Sequence, residues 1–181
     1  MTGVPRPLHP GDLIAAMFGV VFVAANSQLL GAARLPVIVV AIAAGIAIVV
    51  AAQRSRGMSG AAGPPMHRTA YLRIVAVEAV ALVVGAPLLA RFAPHLPIAW
   101  VALVVGLHFV AFAVWWLPGE RTFLAIGAVM TVLGVLGFAI GLTGGEDTAD
   151  VVALVAGVGS GVTLLVPSTI AAVRLFSARA A

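Results

Sequence analysis

The sequence predicts an all-α integral membrane protein, a bundle of six transmembrane helices with both termini in the cytoplasm. Of its 181 residues, 62% are hydrophobic and 9% are charged, and the mean hydropathy is +1.18. A water-soluble domain of this length does not carry so apolar a composition. Low polarity also excludes a disordered chain and a nucleic-acid-binding module, and the lack of cysteine excludes a disulfide-stapled secreted domain. The expected surroundings are therefore the lipid bilayer.

Six apolar runs are long enough to cross about 30 Å of hydrocarbon as helices. They cover residues 12–31, 36–52, 71–92, 97–116, 121–142 and 150–173, which we interpret as one transmembrane domain. Four runs begin close to a proline, which the first turn of a helix tolerates because the missing amide would be unpaired there. These prolines are Pro10, Pro36, Pro97 and Pro118. Asp12 falls in the first turn of the first helix, where a carboxylate suits the positive end of the helix dipole.

Most of these helices are joined by short connections, so consecutive helices are expected to pack as antiparallel neighbours. The exception is residues 53–70, which combine arginines with glycines and two adjacent prolines. This composition predicts a flexible basic loop that separates a first hairpin from a four-helix remainder.

The placement of arginine predicts the orientation, because cationic loops are retained on the cytoplasmic side of a membrane. All ten cationic residues are arginines. If the N-terminus is inside, eight of them are cytoplasmic, and only Arg34 and Arg91 lie outside. The acidic segment at 146–150 then faces outward. Abundant Ala, Val, Gly and Arg without lysine are typical of a GC-rich bacterium, so we expect a multi-pass protein of a bacterial plasma membrane.

A second interpretation of the first span stays open. Arg6, an apolar run and the small residues Val23 and Ala25 before Asn26 fit the pattern of a cleaved signal peptide, which would leave five spans. The apolar run continues to Gly31 and reaches the length of a full span, which favours a retained helix.

Two ionisable side chains fall inside predicted spans, where a polar group is costly and is therefore a functional candidate. They are Glu78 in the third span and His108 in the fourth. These two helices form a hairpin that turns near Pro94, and the two residues are almost equally far from the turn. At 1.5 Å per residue, both lie about 10 to 13 Å from the cytoplasmic edge, so a hydrogen bond between them is geometrically permitted.

The Glu78–His108 pair has two interpretations. One is a polar clip that fixes the packing of two helices, since interhelical hydrogen bonds in membranes contribute about 0.6 to 2 kcal/mol. The other is a site for a proton, an ion or a polar ligand, because burial disfavours either charge alone whereas contact favours an ion pair or a shared proton. Thr131, Ser160 and Thr163 lie near the midplane, where they either line the same polar site or bond back to their own helix carbonyls.

Glycines recur at a spacing that lets helix backbones approach closely. Gly137 and Gly141 belong to the fifth span, and Gly157, Gly159 and Gly161 to the sixth. The spacing predicts packing of the fifth helix against the sixth, or a face that binds a second copy or another membrane protein.

One short motif carries a resemblance. The sequence Val105, Gly106, Leu107, His108 and Phe109, preceded by Glu78 on the helix before, resembles small multi-span membrane proteins of uncharacterised bacterial families. The similarity consists of this motif and a general layout over most of the chain, and it implies no activity.

The sequence contains no cysteine, no histidine pair at metal-ligand spacing, no Walker-type glycine loop and no nucleophile elbow. We therefore predict no catalytic, cofactor or metal site. Three functions remain: a small carrier or proton-coupled permeation protein that uses Glu78 and His108, a non-catalytic scaffold or accessory subunit of a larger membrane complex, and an intramembrane enzyme. The third is the least favoured, because one Glu–His pair supplies acid–base capacity without a nucleophile or a cofactor.

Overall fold

The computed structural model describes Leu8 and residues 10–55, 68–116 and 120–180, almost all of them helical. The helices are α1 (Pro10–Asn26), α2 (Arg34–Ser55), α3 (Arg68–Phe92), α4 (Pro97–Ala111) and α5 (Arg121–Gly144). A π-helical segment, Phe112–Trp116, extends α4. The last helix, α6, has three parts, namely Ala149–Val152, the π-helical Ala153–Val158, and Gly159–Ala180.

Four helical stretches among the described residues are long and apolar enough to cross a membrane. They are Gln28–Ser55, Thr69–Phe92, Pro97–Trp116 and Arg121–Ala178, and the shorter apolar helix Gly11–Asn26 precedes them. The prediction of an all-helical chain with several membrane-length helices is thus confirmed. The count of six spans does not follow from helix length alone, because the first helix is short and the last stretch is continuous.

Two glycines with positive φ mark where the chain leaves helical geometry. Gly31 has a φ of 52° inside the 3-10 turn Gln28–Ala33, and Gly145 has a φ of 64° between α5 and α6. Glycine adopts this backbone conformation without the steric cost that a Cβ would add. The helix that we expected to run to Gly31 ends earlier, at Asn26.

The reversal at Gly145 makes α5 and α6 antiparallel. A Cβ added at Gly137 would lie 3.0 Å from the Cβ of Ala156, and one added at Gly141 would lie 3.5 Å from Val152 Cγ2. Residues progressively earlier in α5 thus meet residues progressively later in α6, as in any helical hairpin.

The contact between α4 and α5 is a glycine seam, formed by Gly106 of α4 with Gly127 and Gly134 of α5. A Cβ added at these positions would lie 2.5 Å from the nitrogen of Thr131, 2.7 Å from that of Val110 and 2.6 Å from that of Leu103, respectively. Only the absence of side chains lets the two backbones approach this closely. The seam holds α4 firmly against the rest of the bundle.

The glycines singled out from the sequence are covered by helices of the same chain. Gly137 and Gly159 lie between α5 and α6, as predicted, because their nearest atoms include Ala156 and Leu133, respectively. Gly157 and Gly161 instead face Asn26 and Gly19 of α1. The difference arises because α6 packs against α1 as well as α5.

The apolar core has two main parts. One joins α1, α2 and α6 and includes Val23, Ile48 and Leu165. The other joins α4, α5 and α6 around Ala99 and Ala156. Helix α3 is peripheral, since its main contacts among the described elements are with α4 and the π-helical segment, and no residue of its most apolar stretch is buried.

Some expectations from the sequence lie outside the described residues. These are Arg6, residues 56–67 of the predicted basic loop, and Pro118.

Gly134→Ala tests the glycine seam. The substitution is expected to lower the free energy of unfolding by about 1–3 kcal/mol, because the new Cβ would meet backbone that cannot move aside as a side-chain tip can. Gly11→Ala is the matched control, since a Cβ there meets nothing within 4 Å. Unfolding in mixed detergent micelles, followed by circular dichroism, measures both. Equal stability of the two variants would contradict the close approach.

Candidate functional site

Helix α3 contacts α4 and the π-helical segment at three levels, which lie seven residues apart along α3. Tyr71, Glu78 and Gly85 lie on one face of α3, because seven residues make almost two complete helical turns. They meet Phe112, His108 and Trp100, respectively. The middle level carries the two ionisable residues that the sequence singled out.

At the middle level, Nδ1 of His108 lies 2.8 Å from Oε2 of Glu78. The exposed fraction is 20% for the Glu78 side chain and 11% for that of His108. Glu78 follows the start of α3 by ten residues, and His108 precedes the end of the π-helical segment by eight. At 1.5 Å per residue, the two residues lie about 15 and 12 Å from those helix ends. The structure thus brings together, at a shared depth, the two side chains whose contact the sequence permitted.

The contact brings a carboxylate oxygen close to an imidazole nitrogen without forming an aligned hydrogen bond. His108 Nδ1 has no aligned hydrogen-bond partner among the described residues, although its distance from the carboxylate is that of an ion pair. The Glu78 oxygen therefore lies off the direction of the N–H bond, where a hydrogen bond is weak.

An aromatic cluster covers the pair on the side of the α3 N-terminus. His108 packs on Phe112 with ring centroids 4.0 Å apart, and Phe112 contacts Tyr71 and Trp116 at centroid distances of 5.7 and 4.7 Å. Phe109 lies edge-on to the imidazole at 5.6 Å. The sequence did not reveal this cluster, which is built from α3, α4 and the π-helical segment. Such π-helical turns occur frequently at functional sites.

The third level fixes the other end of α3. Trp100 Nε1 donates a hydrogen bond of 2.9 Å to the backbone oxygen of Ala81. A Cβ added at Gly85 would overlap the Trp100 indole. Gly85 is thus the residue that makes room for the ring, and the tryptophan ties α4 to the backbone of α3.

The three hydroxyl residues predicted as lining lie elsewhere. Thr131 packs against Gly106, whose position on α4 is about 200° from that of His108, at 100° per residue. Ser160 is fully buried in α6, and Thr163 donates to the carbonyl of Gly159 at 2.8 Å. The hydroxyls of Thr131 and Ser160 have no hydrogen-bond partner among the described residues. The site at the α3–α4 contact therefore consists of Glu78, His108 and the aromatic cluster.

The structure also contains a buried carboxylate, that of Asp12. Ser168 Oγ donates a 2.8 Å hydrogen bond to Asp12 Oδ1, and the two residues are only 3% and 7% exposed. The sequence linked Asp12 to the helix dipole alone, because 156 positions separate it from Ser168. Among the described residues, no group of three or more histidines and acids is arranged to hold a metal ion.

No known protein family, curated protein or solved structure matches this chain. The resemblance at residues 105–109 therefore stays a prediction, and the site has to be interpreted from its own chemistry.

A double-mutant cycle tests whether Glu78 and His108 act as one unit. Glu78→Gln and His108→Gln each remove one ionisable group, and the double variant is expected to differ from the sum of the single changes by about 0.5–3 kcal/mol of unfolding free energy. Glu120→Gln is the matched control, because Glu120 is exposed at the start of α5. Strictly additive effects of Glu78→Gln and His108→Gln would show that the contact carries no coupling.

Proposed function

We propose that this chain is a six-span bacterial plasma-membrane protein with both termini in the cytoplasm, and that Glu78 and His108 form the proton-exchanging site of a small carrier. The single observation that carries the proposal is the 2.8 Å approach of a carboxylate to an imidazole at the middle of two apolar helices.

Two features support six spans. The reversal at Gly145 divides the stretch Arg121–Ala178 into antiparallel helices, of which α5 alone has 24 residues. Helix α1 has 17 residues, or about 26 Å at 1.5 Å per residue, which is close to the hydrocarbon thickness of a bilayer. With six crossings, the excess of arginine falls on the side of both termini.

Proton exchange is the chemistry that this pair suits. A carboxylate and an imidazole in contact hold one proton between them, and its position belongs to the pair rather than to either residue. Ionisable groups at this depth are costly in hydrocarbon, and those that occur in membrane proteins commonly mark proton or substrate paths. The partial exposure of Glu78 favours a group that exchanges protons over a fully enclosed clip.

The second candidate is a membrane scaffold or accessory subunit, and one observation favours it. The outward face of α3 is strongly apolar and uncovered, with Val80, Val83 and Val84 all exposed. A partner helix would fit there as well as lipid does. In such a scaffold, Glu78 and His108 would only fix α3 on α4.

Single cysteines test the topology, because the chain has no cysteine of its own. Glu146→Cys is expected to react with a membrane-impermeant maleimide in intact cells. Gln53→Cys and Ser177→Cys are expected to react only after the membrane is permeabilised, since both lie on the arginine-rich side. Labelling of Gln53→Cys in intact cells would overturn the span assignment.

Flux measurements separate carrier from scaffold. In proteoliposomes with an imposed pH gradient, the wild type is expected to carry protons, and Glu78→Gln is expected to abolish that flux because the amide cannot titrate. His108→Ala should cause the same loss, and the double variant should lose no more, because members of one unit are not additive. Glu120→Gln serves as the control with unchanged flux. A wild type that folds and carries no protons would support the scaffold instead.

A further inference from the structure

The Glu78–His108 site opens sideways, toward the membrane. Helix α3 packs only on α4 and the π-helical segment among the elements with substantial contacts, and Val77, next to Glu78, is 71% exposed. His108 lies on the α3 side of α4, away from the glycine seam that α4 makes with α5. A ligand that reaches this carboxylate from the edge of the bundle therefore comes through the bilayer, and it has to be lipophilic.

The surroundings of the carboxylate suit a cation. Glu78 supplies a carboxylate, and His108, which contacts it, also packs on the Phe112 ring at 4.0 Å, with Tyr71 5.7 Å from Phe112. Aromatic faces attract organic cations, most strongly where water is excluded. A carboxylate joined through one imidazole to a cluster of rings, at the edge of an apolar helix pair, combines charge attraction with apolar contact.

His108 occupies the place that such a cation would take. When the pair holds its proton on the imidazole, the side chain is itself an aromatic cation, seated between the Glu78 carboxylate and the Phe112 ring. A ligand of the same chemistry can replace it only if the imidazole gives up that proton or withdraws from the carboxylate.

Resting on the proton-exchanging role proposed above, we infer that the ligand is a lipophilic organic cation, bound at the α3–α4 contact in exchange for the proton of the Glu78–His108 pair. Before exchange, the pair holds one proton. Afterwards the carboxylate pairs with the ligand cation, the imidazole is neutral, and the proton has left for water. One positive charge enters the site and one leaves it.

The proton in this exchange comes from these two residues. The elements packed against α3 are α4 and the π-helical segment, and His108 is their one ionisable side chain. On α3 itself, Tyr71 and Arg73 lie one to two turns closer to its start, and Arg91 lies near its other end. The third level of contact, at Trp100 and Gly85, contains no ionisable group.

The probe is tetraphenylphosphonium, titrated into the purified full-length protein in weakly buffered detergent, with binding measured by equilibrium dialysis and released protons by a pH-sensitive dye. We expect saturable binding and release of one proton for each cation bound. Triphenylphosphine oxide, which has similar rings and no charge, and tetramethylammonium, which has charge and no rings, are both expected to bind at least tenfold more weakly.

Variants locate the binding. Glu78→Gln is expected to abolish saturable binding and proton release, while Glu120→Gln leaves both unchanged. Phe112→Leu should weaken binding by about tenfold, a factor between those of an exposed and a fully desolvated cation–π contribution. Trp115→Leu is its matched control, because Trp115 lies on the same segment and is 66% exposed. If Phe112→Leu proves unstable, Tyr71→Leu tests the same cluster at its exposed edge.

The two proposals fail in different ways. A wild type that takes up one proton more than Glu78→Gln does in an acid titration, and yet fails to bind tetraphenylphosphonium, would overturn the ligand class and leave proton exchange standing. Equal binding of tetraphenylphosphonium by wild type and Glu78→Gln would also overturn the ligand class and leave proton exchange standing. If the two proteins show the same proton uptake, the proton-exchanging role is itself wrong, and the inference falls with it.

Discussion

A polar group inside a membrane helix has no water to bind, and this constraint decides where the polar residues of this chain lie. Several hydroxyl and amide donors are satisfied locally, as when Thr143, Thr163 and Asn26 donate to carbonyls of the preceding turn. A carboxylate has no such solution, because it only accepts and the amides of a helix interior are already used. Glu78 therefore has to face a donor from another helix, and the contact between α3 and α4 is built around that requirement.

The two sides of α4 are held by different means, and the difference bears on function. Toward α5, glycines bring backbone against backbone, a contact that tolerates little movement. Toward α3, the contact consists of rings, one tryptophan hydrogen bond and one Glu–His approach. In the function proposed above, the energy of that last contact depends on a proton. A change of protonation or ligand is therefore expected to shift α3 relative to a fixed α4, while α5 and α6 stay in place.

The sequence predicted the part of the site that follows from local geometry. A short turn and equal distances from it bring Glu78 to the level of His108. The rest depends on how helices are rotated about their axes, which hydrophobicity alone does not specify in so apolar a chain. That rotation puts Thr131 against Gly106 instead of beside His108, and turns Gly157 toward α1. The Asp12–Ser168 hydrogen bond joins the first helix to the last, and no sequence pattern indicates that these two residues are in contact.

The central claim is that the Glu78 carboxylate and the His108 imidazole share one proton inside the membrane. Nitrogen-15 NMR of the histidine side chains, in protein reconstituted into lipid, tests it most directly, with His108→Gln to assign the signal. The account predicts that Glu78→Gln shifts the His108 Nδ1 resonance and changes its titration with pH, while the signals of the other three histidines stay unchanged. A His108 spectrum that is the same in wild type and Glu78→Gln at every pH would contradict the account.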